Sequence, residues 1–103
     1  MAQIKSIQTD MLKQWMQKQE VELIDVRTVE EYQEMSIPSS TLIPLNELSI
    51  DQLKSLDDED KKIVIHCRSG HRSMLACQLL IDQGIQKDVW NLEGGILDWM
   101  NQN

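Results

Sequence analysis

The chain has 103 residues, 41% of them hydrophobic and 26% charged. That length accommodates one domain, residues 1–103, whose core needs no disulfide or metal to hold it. Ten Lys and Arg against seventeen Asp and Glu leave a net charge of −7, which argues against nucleic acid or a membrane as partner. In chain order, Ile4 to Ile7 reads as a short strand. Thr9 is placed to cap a helix over Asp10 to Lys18, with Met11, Leu12, Trp15 and Met16 as its apolar stripe. Val21 to Val26 is a strand, and Thr28 with Glu31 forms a capping box for a short helix through Met35. Pro38 stops that helix. Thr41 to Ile43 is a third strand. Ser49 with Gln52 opens a short helix around Leu53. The run Asp57-Asp58-Glu59-Asp60 reads as a solvated acidic turn.

Lys61 to His66 is a strand with a continuously apolar centre, Ile63-Val64-Ile65, as expected when both faces are covered. Ser73 to Asp82 is apolar nearly all round and ends at Gly84, which suits a helix packed on a sheet. Asp88 to Leu92 is a last strand and Gly95 to Met100 a last helix. This alternation predicts an α/β fold of three layers, a mostly parallel sheet of about five strands with helices on both faces. The longest apolar run, Met74 to Cys77, is four residues, far short of a membrane span. The first residues lack the basic flank and apolar stretch of an export signal. With two cysteines, Cys67 and Cys77, the expectation is a reduced, cytoplasmic chain with free thiols.

Residues 61–81 carry Lys61, Lys62, Arg68 and Arg72 and no acid, leaving six bases against seventeen acids elsewhere. In parallel sheets, ligands gather outside the carboxyl ends of the strands. The most apolar strand ends at His66, so chemistry is expected in Cys67-Arg68-Ser69-Gly70-His71-Arg72, just before a helix. Gly70 permits a turn in which successive N–H groups converge as an anion nest. The helix start, Arg68, Arg72 and His71 add positive charge. Cys67 is therefore expected to be substantially thiolate at neutral pH.

At His66-Cys67-Arg68-Ser69-Gly70-His71-Arg72-Ser73 the sequence resembles the active-site loop of the rhodanese-like sulfurtransferases. Asp25-Val26-Arg27 with Glu31-Tyr32 is similar to that family's first signature. Ile37-Pro38 and Ile43-Pro44 fit the segment that follows, and Asn91-Leu92-Glu93-Gly94-Gly95 with Trp99 fits its C-terminal signature. The chain departs from the pattern at Met35-Ser36, where members often carry Gly-His, and at Ser39-Ser40, where Gly-Ala is common. The resemblance implies that Cys67 is the nucleophile and carries a persulfide between a sulfur donor and an acceptor. It also implies that Arg68, Ser69, Gly70, His71, Arg72 and Ser73 form the substrate-binding loop, with Arg68 and Arg72 binding an anionic donor or holding the loop.

The implied partners are a small anionic or thiol-type sulfur donor and acceptor, and a sulfur-accepting protein is a further candidate. No cofactor or metal is expected. A phosphatase or arsenate reductase of related fold would need a seven-residue loop, and Cys67 to Arg72 is six. A binding or redox-sensing module without turnover is the other alternative. Asp25 and Arg27 are assigned a supporting role beside the loop. His66 reads as structural. His71 either tunes donor binding or is a tolerant loop-tip residue. Cys77 is either a resolving thiol or a compact core residue, and its apolar helix favours the core. The three tryptophans read as packing.

Overall fold

The computed structural model describes residues 1–54 and 60–102. Asp57, Asp58 and Glu59 of the expected acidic turn lie outside the described residues. Five strands, β1 (Ile4–Ile7), β2 (Val21–Asp25), β3 (Thr41–Leu42), β4 (Lys62–His66) and β5 (Val89–Leu92), form one sheet in the order β1-β5-β4-β2-β3. All four pairings are parallel. Parallel neighbours need long crossovers. These contain α1 (Thr9–Gln17), α2 (Val29–Glu34), α3 (Ile50–Lys54) and α4 (His71–Asp82), while α5 (Gly95–Asn101) follows the last strand. The described elements fall within two residues of the bounds expected from the sequence.

The continuous apolar run in β4 is explained by two cores on opposite faces. Ile63 and Ile65 point to one side with Ile24, Val26, Ala76, Cys77, Leu80 and Val89, beneath α3 and α4. Val64 points to the other with Leu12, Leu23, Leu92, Ile96 and Trp99, beneath α1 and α5. Side chains alternate along a strand, so a central strand covered on both faces must be apolar at every position. Register then levels one end of the sheet: Asp25 lies opposite His66 on one side and Leu42 on the other.

Three local expectations change. Thr9 does not cap α1. The cap position is Gln8, whose side chain makes no capping bond. The Thr9 hydroxyl is instead buried and donates to Asp98 Oδ2 at 2.8 Å, tying α1 to α5. A buried hydroxyl needs a partner, and the carboxylate across the interface supplies a charged one. Secondly, α4 starts at His71 rather than Ser73, and its apolar surface is not covered all round, since Met74 and Leu75 are exposed. It closes as expected at Gly84, where Gly84 N–H donates to Ile81 O and Ile85 N–H to Leu80 O in a Schellman turn. Thirdly, Val26 and Ile43 lie beyond their strands. Their N–H groups still bond to the sheet, donating to His66 O and Asp25 O. Trp15 and Trp90 pack edge to face at 5.0 Å, and Trp99 is buried in the second core. The tryptophans therefore pack as expected.

Candidate active site

Cys67 follows the last residue of β4, and the chain must turn there to enter α4. Gly70 makes the turn with φ +101°. A Cβ at that position would sit 2.3 Å from the Glu93 carbonyl oxygen, so glycine is required by both conformation and space. The same is true across the contact. Gly95 has φ +62°, and a Cβ there would lie 2.3 Å from the Arg68 carbonyl oxygen. With that gap closed, the first free amides of α5 reach the loop. Ile96 N–H donates to Cys67 O at 3.0 Å and Leu97 N–H to Arg68 O at 3.2 Å. The orphan donors of one helix thus fix the carbonyls of the cysteine loop. The Asn91–Gly95 signature and the cysteine loop, far apart in sequence, form one unit.

The loop's own amides turn inward. Cys67 Sγ accepts from Gly70 N–H at 3.2 Å and from Ser73 N–H at 3.3 Å, and lies 3.4 Å from the Ser73 hydroxyl. Ser73 is the third residue of α4, whose amide is ordinarily satisfied by the side chain at the cap. Gly70 has no side chain to offer, and the sulfur takes that place. Burial pushes the Cys67 thiol up. The Ser73 hydroxyl and the backbone N–H groups of Ser73, Gly70 and Ser69 outweigh it, and the thiol lies below its ordinary value. Of the influences expected from the sequence, the converging N–H groups act on the sulfur, joined by the Ser73 hydroxyl. The sulfur is well sheltered: Cys67 is 1% exposed.

The basic side chains divide into two kinds. Arg72 is committed. Its guanidinium donates to Glu31 Oε1 at 2.8 Å and Oε2 at 2.9 Å, and that pairing holds the Glu31 carboxyl down at about 2. Glu31 is also the far half of the α2 capping box, accepting from Thr28 N–H at 3.0 Å. Arg72 thus holds the loop against α2. Arg68 and His71 are exposed and form no ion pair among the described residues. They are the basic side chains left at the mouth.

Asp25 and Arg27 are brought near the loop, with no hydrogen bond from Arg27 to residues 67–73. They pair with each other, Arg27 NH2 to Asp25 Oδ2 at 2.7 Å, both buried. Arg27 also donates to the carbonyls of Glu31 and Met35, bracing α2 from below. At the departure from the family pattern, Met35 therefore serves through its carbonyl while its side chain is exposed. His66 is buried, with Nδ1 donating to Cys67 O at 3.3 Å and Nε2 3.6 Å from Asp25 Oδ2. Burial lowers its pKa more than Asp25 raises it, so the ring is neutral at pH 7. Cys77 has no exposed surface, and burial pushes its thiol up to about 12. That is the behaviour of a core residue.

Two participants do not stand out in the sequence as site residues. Glu31 reads there as a helix cap and as part of a signature, without a partner in the loop. Asn91 reads only as part of a signature, yet it is buried, accepts from the Ser73 hydroxyl through Oδ1, and donates from Nδ2 to Gly70 O at 3.3 Å. A polar residue in an otherwise apolar strand is the signal that could have found it. No group of three or more potential metal ligands occurs among the described residues.

Residues 8–102 match the family model of the rhodanese-like domain. The chain is 40% identical over 98 residues to "Putative sulfurtransferase YtwF" of Bacillus subtilis, covering 94% of this chain and 91% of that one. It is 40% identical over 81 residues to a protein named sulfurtransferase in Allochromatium vinosum, covering 79% and 73%. The crystal structure of a rhodanese-like domain protein from Staphylococcus aureus aligns with a TM-score of 0.75 at 35% identity, over 92% of this chain and 90% of that one. The match takes in both the cysteine loop and the Gly-Gly turn that clamps it, and the chain belongs to the rhodanese-like domain family.

Proposed function

We propose that the protein is a sulfurtransferase that carries sulfane sulfur as a persulfide on Cys67. The observation that supports this most is the set of donors converging on Cys67 Sγ. With thiosulfate as donor, the thiolate attacks the outer sulfur. A new S–S bond forms, the bond to the sulfonate sulfur breaks, and sulfite leaves with that electron pair. The persulfide keeps one negative charge on its outer sulfur, where a nest of amides stabilises it as an oxyanion hole stabilises oxygen. An acceptor thiolate or cyanide then attacks the outer sulfur and returns Cys67 as thiolate. Charge balances in both half-reactions, and no metal or redox cofactor is called for.

The shelter of Cys67 bears on the donor class. A terminal sulfur is one atom wide and reaches the floor of a six-residue loop, and Arg68 and His71 at the mouth attract its anionic remainder. Thiosulfate, polysulfide and low-molecular-weight persulfides all meet that description. A reducing compartment such as the cytoplasm suits this chemistry, since it keeps Cys67 and Cys77 as free thiols. The test is incubation with a panel of thiosulfate, polysulfide, glutathione persulfide and mercaptopyruvate, followed by intact-mass measurement. One added sulfur on Cys67, absent from Cys67→Ser, is expected with at least one donor. No added sulfur with any donor overturns the proposal.

A further inference from the structure

Ser73 has one hydroxyl proton and two acceptors within reach. One is Asn91 Oδ1, to which the hydroxyl donates; the other is Cys67 Sγ at 3.4 Å. Ser73 has no exposed surface, Asn91 is 2% exposed and Cys67 1%, so bulk water does not supply a second donor. The orientation of the Asn91 amide is set on its other side. Its Nδ2 donates to the Gly70 carbonyl, which only accepts, so Oδ1 must face Ser73. Asn91 cannot turn round to donate to the hydroxyl oxygen without setting its own carbonyl against that of Gly70.

We propose that Asn91 is a positioning residue that competes with the Cys67 sulfur for the single proton of the Ser73 hydroxyl, making that hydroxyl a rotor that follows charge onto and off the sulfur. In the thiol form, S–H donates to Ser73 Oγ and Ser73 donates to Asn91. In the thiolate form, the hydroxyl turns to Sγ and Asn91 Oδ1 gives up its donor. An unpaired buried carbonyl is unfavourable, so Asn91 holds the bare thiolate in check. This step needs no sulfur transfer. The next rests on the persulfide reading. Once the charge has moved to the outer sulfur, Sγ is neutral, and the hydroxyl returns to Asn91. The same residue that weakens the bare thiolate thereby favours the loaded state.

Few groups besides the rotor can set the charge on Sγ. Those facing it are the amides of Gly70, Ser73 and Ser69 and the Ser73 hydroxyl. Of the basic side chains around the loop, Arg72 is held by Glu31, Arg27 by Asp25, and Arg68 and His71 are exposed. His66 is neutral and turned to the Cys67 carbonyl. Removing Asn91 leaves these charges in place.

Cys67 ionisation is read from the pH dependence of iodoacetamide alkylation in wild type, Asn91→Ala, Ser73→Ala and the double variant. Asn91→Ala frees the hydroxyl for sulfur, and the ionisation constant is expected to rise on the order of tenfold. In the Ser73→Ala background the same substitution is expected to change it little. A fall in the constant on Asn91→Ala, no change, or an equal rise in both backgrounds overturns the proposal, since loosening of the Gly70 anchor would act with or without the hydroxyl. A wild-type measurement covers the case in which Asn91→Ala does not fold. The 13Cγ resonance of Asn91 should titrate together with Cys67, and a resonance that ignores that titration overturns the rotor. Intact mass, taken in parallel, reports sulfur loading separately, so failure of the persulfide reading is distinguishable from failure of the rotor.

Discussion

Cys67 depends on Ser73 twice, through its amide and through its hydroxyl. The two contacts come apart by mutation, because Ser73→Ala keeps the amide. The hydroxyl is the largest favourable influence on the thiolate. Its loss is expected to raise the Cys67 pKa, because a hydrogen bond to the charged sulfur is removed. Alkylation rate against pH measures it, and an unchanged profile would show that the amides alone hold the thiolate. Gly95 is the second residue on which the loop turns. Alanine there would have to adopt φ +62° with its Cβ 2.3 Å from the Arg68 oxygen. Neither strain is relieved without moving α5 off the loop, so Gly95→Ala should cost about 2 kcal/mol or more. Sulfur loading should fall with it. Urea unfolding and intact mass give the two readouts, and full loading in a destabilised variant would separate the clamp from the chemistry.

At the scale of elements, α2 has little to hold it by packing, as none of its residues is buried. It is held by polar contacts: the capping box, Arg27 on its last carbonyls, and Arg72 on Glu31. Glu31→Gln weakens the box and removes the charge partner of Arg72. Both contacts are partly screened by solvent, so the expected loss is about 1 kcal/mol near neutral pH, read by urea unfolding. The effect on the loop is read by the rate of Cys67 alkylation, which should change because Arg72 no longer fixes the start of α4.

What is legible in the sequence follows the range of the interactions. The strands and helices are readable because hydrophobic period, caps and glycine stops are local. Cys67 is readable because its loop is continuous. The Glu31–Arg72 pair spans 41 residues and the Ser73–Asn91 pair 18, and no local pattern announces either. Thr9 reads as a cap for the same reason: its cap-like position is visible locally, while Asp98, 89 residues away, is not.

Across the whole molecule, four buried or paired groups shape how stability responds to pH. Glu31 is held at about 2, below the ordinary carboxylate value, so its contribution is present above pH ~4.5 and lost as pH falls towards 2. His66 is lowered by burial: below pH ~6.5 the unfolded chain binds a proton there that the folded chain resists, and stability falls further. Cys67 is also lowered, so as pH rises towards its unfolded value of about 8.5 the folded state releases its proton first and gains stability. Cys77 runs the other way. Held at about 12, it stays protonated while the unfolded chain ionises, and stability is lost above pH ~8.5. Three groups thus favour higher pH and the fourth opposes it only on the alkaline side. The urea midpoint, followed under reducing conditions from pH 4 to 10, should peak on the alkaline side of neutrality, near pH ~8. Variants separate the limbs. Cys67→Ser should flatten the rise approaching the peak, and His66→Gln the earlier rise that levels off at pH ~6.5. Cys77→Ala should remove much of the fall above it. A midpoint that peaks below pH 7 in wild type would mean that Cys67 and His66 are not held as their contacts indicate, and the thiolate account of the loop would fail with them.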